Sequence, residues 1–117
     1  MEVDESDEAE FNKWYNEQHL PERMAIPGYV SARRFKLEGD NNSNALKYLC
    51  IWEMDDGSPL QSEMYKSQNA RPTELYLRVN ETIKSRTRGL YTQIYPEPGT
   101  SFEDRGGFHG DRLPAHP

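Results

Sequence analysis

The chain has little of what anchors or cross-links many proteins. It holds one cysteine, Cys50, in 117 residues, so it can form neither an internal disulfide nor a metal site with several cysteine ligands. Its apolar runs are only a few residues long, too short for a membrane-spanning helix. The net charge is -6, which disfavours binding to nucleic acid or to anionic membranes. We therefore expect neither partner.

Several functional motifs are also absent from the sequence. There is no glycine-rich phosphate loop, no GxSxG elbow and no histidine-rich metal cluster. Hydride, phosphoryl and metal-assisted reactions therefore lack an anchor, and we expect no cofactor and no metal. The stretch MEVDESDEAE lacks the basic and apolar regions of a secretory signal, so the cytoplasm is the expected location. Cys50 lies in an apolar segment and is interpreted as a small buried thiol.

The residue patterns that are present predict a mixed α+β chain. Phe11, Trp14 and Tyr15 have the spacing of one helix face. Pro21 and the pair Pro27-Gly28 are expected to end that helix and turn the chain. Alternating apolar residues indicate strands. The patterns predict helices over residues 7–18 (capped by Ser6), 59–67 (capped by Ser58) and 72–85, and strands over residues 29–37, 46–54 and 89–95.

The two central strands are close in sequence, which predicts an antiparallel hairpin. Both alternating sets of residues in the segment 46–54 are apolar, so neither face of this strand should lie in water. Helices can cover one face, and something else must cover the other. The element order is one strand short of the ferredoxin-like βαββαβ plait, because residues 1–3 can supply only the end of a first strand.

Residues 1–95 are predicted to form the folded domain. Residues 96–117 are rich in proline and glycine and are predicted to be a disordered tail. This tail holds His109 and His116, whose spacing matches no metal site.

Four segments carry a resemblance to a known family. They read EFNKWYNEQHLPER, IPGYVSARRF, KYLCIWEM and TRGLYTQIYPE. Over residues 1–97 the chain resembles the EthD-like branch of the dimeric α/β-barrel superfamily, most specifically in the run WYxxxHLPERxxxPG followed by Tyr29. The resemblance implies a ferredoxin-like protomer whose sheet faces that of a second protomer, so that a homodimer encloses a ligand cavity. Members usually begin with a longer first strand, most of which this sequence lacks.

His19 is the central candidate for chemistry. Its imidazole can give and take a proton near neutrality, and a position near a helix C-terminus would favour the protonated form. Tyr15 lies one helical turn earlier as a hydrogen-bond partner, and Asn12 lies one turn before that. Together the three would form one wall of a polar cavity. The alternatives are that His19 caps the helix or bonds within the core, and that Tyr15 is a core aromatic residue.

The strands supply the other candidate residues. Arg33 and Arg34 point to opposite faces of one strand, so at most one reaches an interior, where it either anchors a ligand or pairs with Glu53. Glu53 itself is either a salt-bridge partner or a general base. Tyr48 and Trp52 share one strand face and would form flat walls for an aromatic ligand.

The resemblance and these residues leave three functions open. The first is a cofactor-independent enzyme with proton-transfer chemistry (a dehydratase, cyclase or isomerase) that acts on an aromatic, polyketide-like or lactone compound through His19 and Tyr15. The second is a noncatalytic ligand carrier or accessory protein of a catabolic pathway, and the third is a cofactor-free oxygenase. All three predict a homodimer that binds a hydrophobic or aromatic small molecule.

Overall fold

The computed structural model describes residues 1–39 and 44–102. Residues 1–87 form one compact unit, and the residues from Arg88 onward belong to a second. The elements of the first unit are β1 (Glu2–Val3), α1 (Glu8–Trp14), α2 (Leu20–Met24), β2 (Tyr29–Lys36), β3 (Tyr48–Met54), α3 (Glu63–Ala70), α4 (Glu74–Thr82) and β4 (Ile83–Ser85). The strands form two antiparallel pairs, β1 with β4 and β2 with β3. The predicted α+β class is confirmed.

The first helical region is longer than predicted, because Pro21 does not end it. A π-helical turn over Tyr15–His19 joins α1 to α2, and the Leu20 N–H donates to the carbonyl of Tyr15, five residues earlier. Pro21 therefore lies at the second residue of α2, and the helical path continues through it to Met24, shortly before Pro27-Gly28. The expectation of a helix end beside His19 was wrong.

The predicted hairpin is confirmed as the pairing of β2 with β3. Ala32 lies opposite Trp52, and Arg34 lies opposite Cys50. On the other face, Arg33 lies opposite Ile51. The face that carries Trp52 and Cys50 packs against the core, and we call it the inner face. The face that carries Arg33 and Ile51 is the outer face.

The core of the first unit lies between the helices and the inner face of the hairpin. Its buried residues are Val3, Phe11, Trp14, Tyr15 and Val79. Leu75 and Tyr76 of α4 and Ile83 of β4 pack against this cluster. Val3 is almost completely buried, so the short strand β1 is part of the core.

The predictions for residues 72–95 were partly wrong. The helix predicted over residues 72–85 ends at Thr82, because Ile83–Ser85 pair with Glu2–Val3 as β4 instead. The strand predicted over residues 89–95 is not formed by those residues. Leu90 and Ile94, which would have been its apolar face, are 67% and 90% exposed.

The helix caps also differ from the predictions. Ser6 lies inside a 3₁₀ turn over Glu5–Asp7, and Ser58 lies inside another 3₁₀ turn. Ser62 caps α3 instead, since its hydroxyl accepts the N–H of Tyr65 at 3.1 Å. This places the start of α3 four residues after the predicted one, Pro59.

In the second unit, the side chain of Gln93 is hydrogen-bonded to the backbone of a turn that follows it. The Gln93 amide Nε2 donates to the carbonyl of Pro96 and to that of Thr100, each at 2.9 Å. Most of the predicted tail, including His109 and His116, lies outside the described residues. Within residues 1–39 and 44–102, no helix is both long enough and apolar enough to span a membrane.

Candidate functional site

Four of the predicted site residues meet where the first helical region packs on β3. The Tyr15 ring centre lies 6.4 Å from that of Trp52, and the Phe11 ring centre lies 5.1 Å from that of Tyr48. His19 lies 4.9 Å from Tyr15 and 5.5 Å from Trp52 between ring centres. Helical spacing on one side and strand alternation on the other bring these rings to one wall.

His19 is held as an aromatic ring among other rings. It stacks on Trp14 at 4.5 Å with an angle of 18° between the planes. Burial, together with the smaller effect of the positive charges of Arg23 and Arg34, lowers the pKa of His19 to about 4. His19 is therefore neutral at pH 7 and can accept a proton but has none to give from an imidazolium. The expectation that the protonated form is favoured was wrong.

Tyr15 keeps its proton in this setting. Burial raises the pKa of its phenol well above the usual value, and the neighbouring Cys50 adds to that rise. Burial also raises the pKa of the Cys50 thiol, which accords with its interpretation as an unreactive thiol. Tyr15 thus offers a hydroxyl that can donate a hydrogen bond but will not ionise near neutral pH.

The inward-facing arginine is Arg34. Its guanidinium carbon lies 4.2 Å from the Tyr15 ring centre, 5.2 Å from that of Tyr48 and 5.4 Å from that of Phe11. Nη1 donates to Asn16 Oδ1 at 2.8 Å, whereas the buried Nη2 has no hydrogen-bond partner among the described residues. Burial lowers the pKa of Arg34, and the groups that oppose this are Tyr15, Cys50 and Tyr48. None of those three is a carboxylate.

Arg33 lies on the outer face, away from this wall. It forms an ion pair with Glu53 at 3.1 Å, and both side chains are more than half exposed. Glu53 also accepts a hydrogen bond from Ser31 Oγ at 2.7 Å. Such an exposed pair contributes little to stability. Of the two readings of Glu53, the contacts favour the salt-bridge partner.

Asn12 belongs to a polar network that sequence reasoning found only in part. Its Nδ2 donates to the Tyr48 hydroxyl at 3.2 Å, and that hydroxyl donates to Glu8 Oε1 at 2.8 Å. The hydrogen bond from Tyr48 is the main reason why the pKa of Glu8 is lowered. Glu8 and Asn16 were not predicted as site residues. The sequence did contain a pattern that points to them, because Glu8, Asn12 and Asn16 recur every four residues on one helix face.

An open groove of about 350 Å³ runs along this helix face. Its lining is Ala9, Asn12, Lys13, Asn16 and Glu17. The groove shares Asn12 with the Tyr48 network and Asn16 with the Arg34 hydrogen bond.

The comparisons with known proteins identify the family but not its activity. Residues 1–90 match the family described as "Domain of unknown function (DUF4286)". No curated protein and no solved structure matches the chain significantly. The match spans all of the first unit, including every residue of the site described above. The chain belongs to the DUF4286 family.

Proposed function

We propose that this protein binds an aromatic small molecule with an acidic oxygen, and that Arg34 anchors this oxygen. The observation that carries the proposal is the state of the Arg34 guanidinium, which is half-buried against aromatic rings and has no hydrogen-bond partner at Nη2 among the described residues. A buried cation is costly unless a carboxylate or an anionic ligand compensates it. Among the described residues, Nη1 donates to the amide oxygen of Asn16, which is a neutral acceptor.

The groove supplies a route for such a ligand. Asn16 is exposed and lines the groove, so a ligand carboxylate that displaced its amide would meet the guanidinium. A carboxylate can accept two parallel hydrogen bonds from a guanidinium, a pairing about twice as strong as a neutral one. The rings of Tyr15 and Tyr48 next to Arg34 would then face the aromatic part of the ligand.

We further propose the ferredoxin-like plait as the architecture of the first unit. Met1 and Tyr48 exchange two backbone hydrogen bonds, from Met1 N to Tyr48 O at 2.7 Å and from Tyr48 N to Met1 O at 3.0 Å. These bonds join the β1–β4 pair to the start of β3. The resulting order, β4-β1-β3-β2, supports an interleaved βαββαβ arrangement of the kind that the EthD-like resemblance implies.

The outer face of the hairpin supports a homodimer. Phe35, Leu49 and Ile51 are each about half exposed there. Apolar clusters of this kind mark interaction surfaces, and a second copy with the same face would cover it symmetrically. This is the sheet-to-sheet contact of a dimeric α/β barrel.

A second candidate function is a cofactor-independent proton-transfer enzyme that acts on a polyketide-like or lactone compound. The neutral state of His19 between Tyr15 and Trp52 favours it. His19 would accept the proton of an acidic C–H bond of the ligand, and the C–H electron pair would pass to an enolate oxygen beside Arg34. Tyr15 would donate a hydrogen bond to that oxygen. Product formation without oxygen uptake would distinguish this activity from a carrier and from an oxygenase.

The binding proposal is tested with a matched pair of probes, 4-hydroxybenzoate and its neutral methyl ester. Binding is followed through the fluorescence of Trp14 and Trp52 in the wild type and in Arg34→Gln, with Arg33→Gln as the control. We expect the carboxylate to bind the wild type and Arg33→Gln equally, and Arg34→Gln at least about tenfold more weakly, since a charge-assisted hydrogen bond contributes about 1.5–3 kcal/mol. Equal losses in both variants, or equal binding of the ester, would contradict the proposal.

A further inference from the structure

The two arginines whose charges reach His19 are held by amides and not by carboxylates. Arg34 donates to a neutral amide oxygen. Arg23 donates from Nη1 to Gln68 Oε1 at 2.8 Å and from Nη2 to Asn69 Oδ1 at 2.7 Å. Within the part of the chain that the structure describes, no carboxylate forms an ion pair with either guanidinium. Both positive charges therefore remain available to an anion.

Two arginines elsewhere in the chain do pair with carboxylates. Arg33 pairs with Glu53 at 3.1 Å, and Arg78 pairs with Glu10 at 2.8 Å. The chain has 20 acidic residues and a net charge of -6, so acidic partners are plentiful. The amide-bound guanidinium groups near His19 are thus a local feature that the composition does not explain.

The guanidinium of Arg23 is fixed in place by α3. Its central carbon lies 4.3 Å from the centre of the Tyr65 ring, and the amides of Gln68 and Asn69 hold two of its nitrogens. A guanidinium has five N–H donors in a planar fork, and these two hydrogen bonds occupy only two of them. An arginine that is already ordered loses less side-chain entropy when it binds a ligand. Arg23 is therefore a prepared anchor for an acidic group.

His19 lies in a positive field between the two arginines in the chain of contacts. Arg23 follows it by one helical turn. Tyr15, whose ring centre is 4.9 Å from that of His19, lies 4.2 Å from the guanidinium carbon of Arg34. Burial is the main cause of the lowered pKa of His19, and the charged groups that add to it are Arg23 and Arg34. An acidic protein that keeps a positive region of this kind attracts anions to it.

We propose that Arg23 is a second anchor of the site, and that the ligand is an aromatic compound with acidic groups at two opposite ends. Arg34 binds one acidic group and Arg23 binds the other, with the aromatic part beside Tyr15 and His19. The inference rests on the proposed binding function of Arg34 and narrows its ligand class from a monoacid to a diacid. A diacid compensates both positive charges, whereas a monoacid compensates only one.

Two diacids of different length, each compared with its monomethyl ester, test the inference on the whole chain. They are terephthalate and the longer biphenyl-4,4′-dicarboxylate. Each ester keeps the rings and one carboxylate but lacks the second charge. Isothermal titration calorimetry measures binding to the wild type, to Arg23→Gln and to Arg33→Gln as the control. We expect at least one diacid to bind the wild type at least about tenfold more tightly than its ester, because the second carboxylate adds charge-assisted hydrogen bonds.

Arg23→Gln should remove this preference and leave the affinity for the ester unchanged, whereas Arg33→Gln should keep the full preference. The inference is overturned if the wild type prefers neither diacid, or if the preference persists in Arg23→Gln. It is also overturned if Arg23→Gln loses both probes equally, which would assign Arg23 to the packing of α2 on α3. Ester binding that depends on Arg34 leaves the proposed function standing in all these cases. A wild type that binds none of the four probes removes both.

Discussion

The guanidinium of Arg34 lies 4.2 Å from the centre of the Tyr15 ring, where attraction to the ring opposes the cost of burying an unpaired charge. A cation over an aromatic ring gains about 0.5–2 kcal/mol, while a fully buried, uncompensated charge costs several kcal/mol even after relaxation. Arg34 is only half-buried, so the two effects are of similar size. The guanidinium of Arg34 therefore adds little to the stability of the fold. We explain its position by the binding of a ligand rather than by folding.

Replacing Arg34 with Met should therefore change the free energy of unfolding by less than about 1 kcal/mol in either direction. Methionine keeps an apolar stem against Tyr15 while removing the charge. Urea unfolding at pH 7 measures the change, with Arg33→Met as the control for losing an exposed arginine. A loss of several kcal/mol in Arg34→Met alone would show that the guanidinium is mainly structural.

The lowered pKa of His19 predicts a loss of stability in mild acid. The pKa is about 4 in the folded protein, below the ordinary histidine value of 6.5. The unfolded chain therefore binds a proton first as the pH falls, and the folded state loses stability between about pH 6.5 and pH 4. The full effect of this one group is at most about 3 kcal/mol.

His19→Phe keeps a ring on Trp14 and removes the titration. Urea unfolding at pH 7 and pH 4.5 should show a smaller loss of stability on acidification in His19→Phe than in the wild type. Both proteins share every other titrating group, so the difference isolates His19. Equal losses in the two proteins would mean that the His19 imidazole of the folded protein is already protonated at pH 4.5.

The hydrogen bond from Tyr48 to Glu8 predicts a change in a single carboxyl titration. Tyr48→Phe removes the main cause of the lowered Glu8 pKa, so the pKa should rise towards its ordinary value. Carboxyl-detected NMR measures this titration directly. Tyr76→Phe is a suitable control, since its hydroxyl bonds to Asn80 rather than to Glu8. An unchanged Glu8 pKa in Tyr48→Phe would assign the shift to Lys36 and Lys47 instead.

Much of the site could be predicted because it depends on local periodicity. The four-residue spacing from Tyr15 to His19 and the alternation from Tyr48 to Trp52 each place side chains on one face without knowledge of the rest of the fold. The side to which Arg34 points could not be derived in this way. It depends on which strand face the helices cover, and the sequence of β2 alone does not specify that.

The elements that were predicted wrongly depend on partners far along the chain. Ile83–Ser85 continue a helical pattern, yet they form a strand because Glu2–Val3 offer backbone hydrogen bonds. Pro21 has the usual effect of ending a helix, but the π turn before it places it where it is tolerated. In both cases long-range or unusual backbone pairing overrides a local preference.

Gly28 should be sensitive to substitution for two physical reasons. Its φ of 101° lies in a region that side chains rarely adopt, and an added Cβ would lie 2.6 Å from Pro59 Cγ. We expect Gly28→Ala to lower the free energy of unfolding by about 1–3 kcal/mol or more. Gly39→Ala is the matched control, because Gly39 also has a positive φ of 55° but no atom of the described residues lies within 4 Å of its added Cβ. Thermal unfolding should show the larger loss at Gly28, and equal losses would attribute the effect to backbone conformation alone.

The proposed dimer through the outer face of the hairpin predicts that a charge at Leu49 will prevent association. Leu49 is 55% exposed in a single copy, so Leu49→Asp should leave the folded protomer intact. In a sheet-to-sheet dimer the aspartate would be buried next to the same residue of the second copy. Two unpaired carboxylates there would cost several kcal/mol, enough to raise the dimer dissociation constant by at least about a hundredfold.

Light scattering across a concentration series measures this shift, and circular dichroism checks that the protomer stays folded. Leu77→Asp is the matched control, since Leu77 on α4 is similarly exposed at 51% and lies outside the outer face. We expect Leu77→Asp to dimerise like the wild type. If both variants remain dimeric, the two copies associate through another surface, and the apolar residues of the outer face require a different partner.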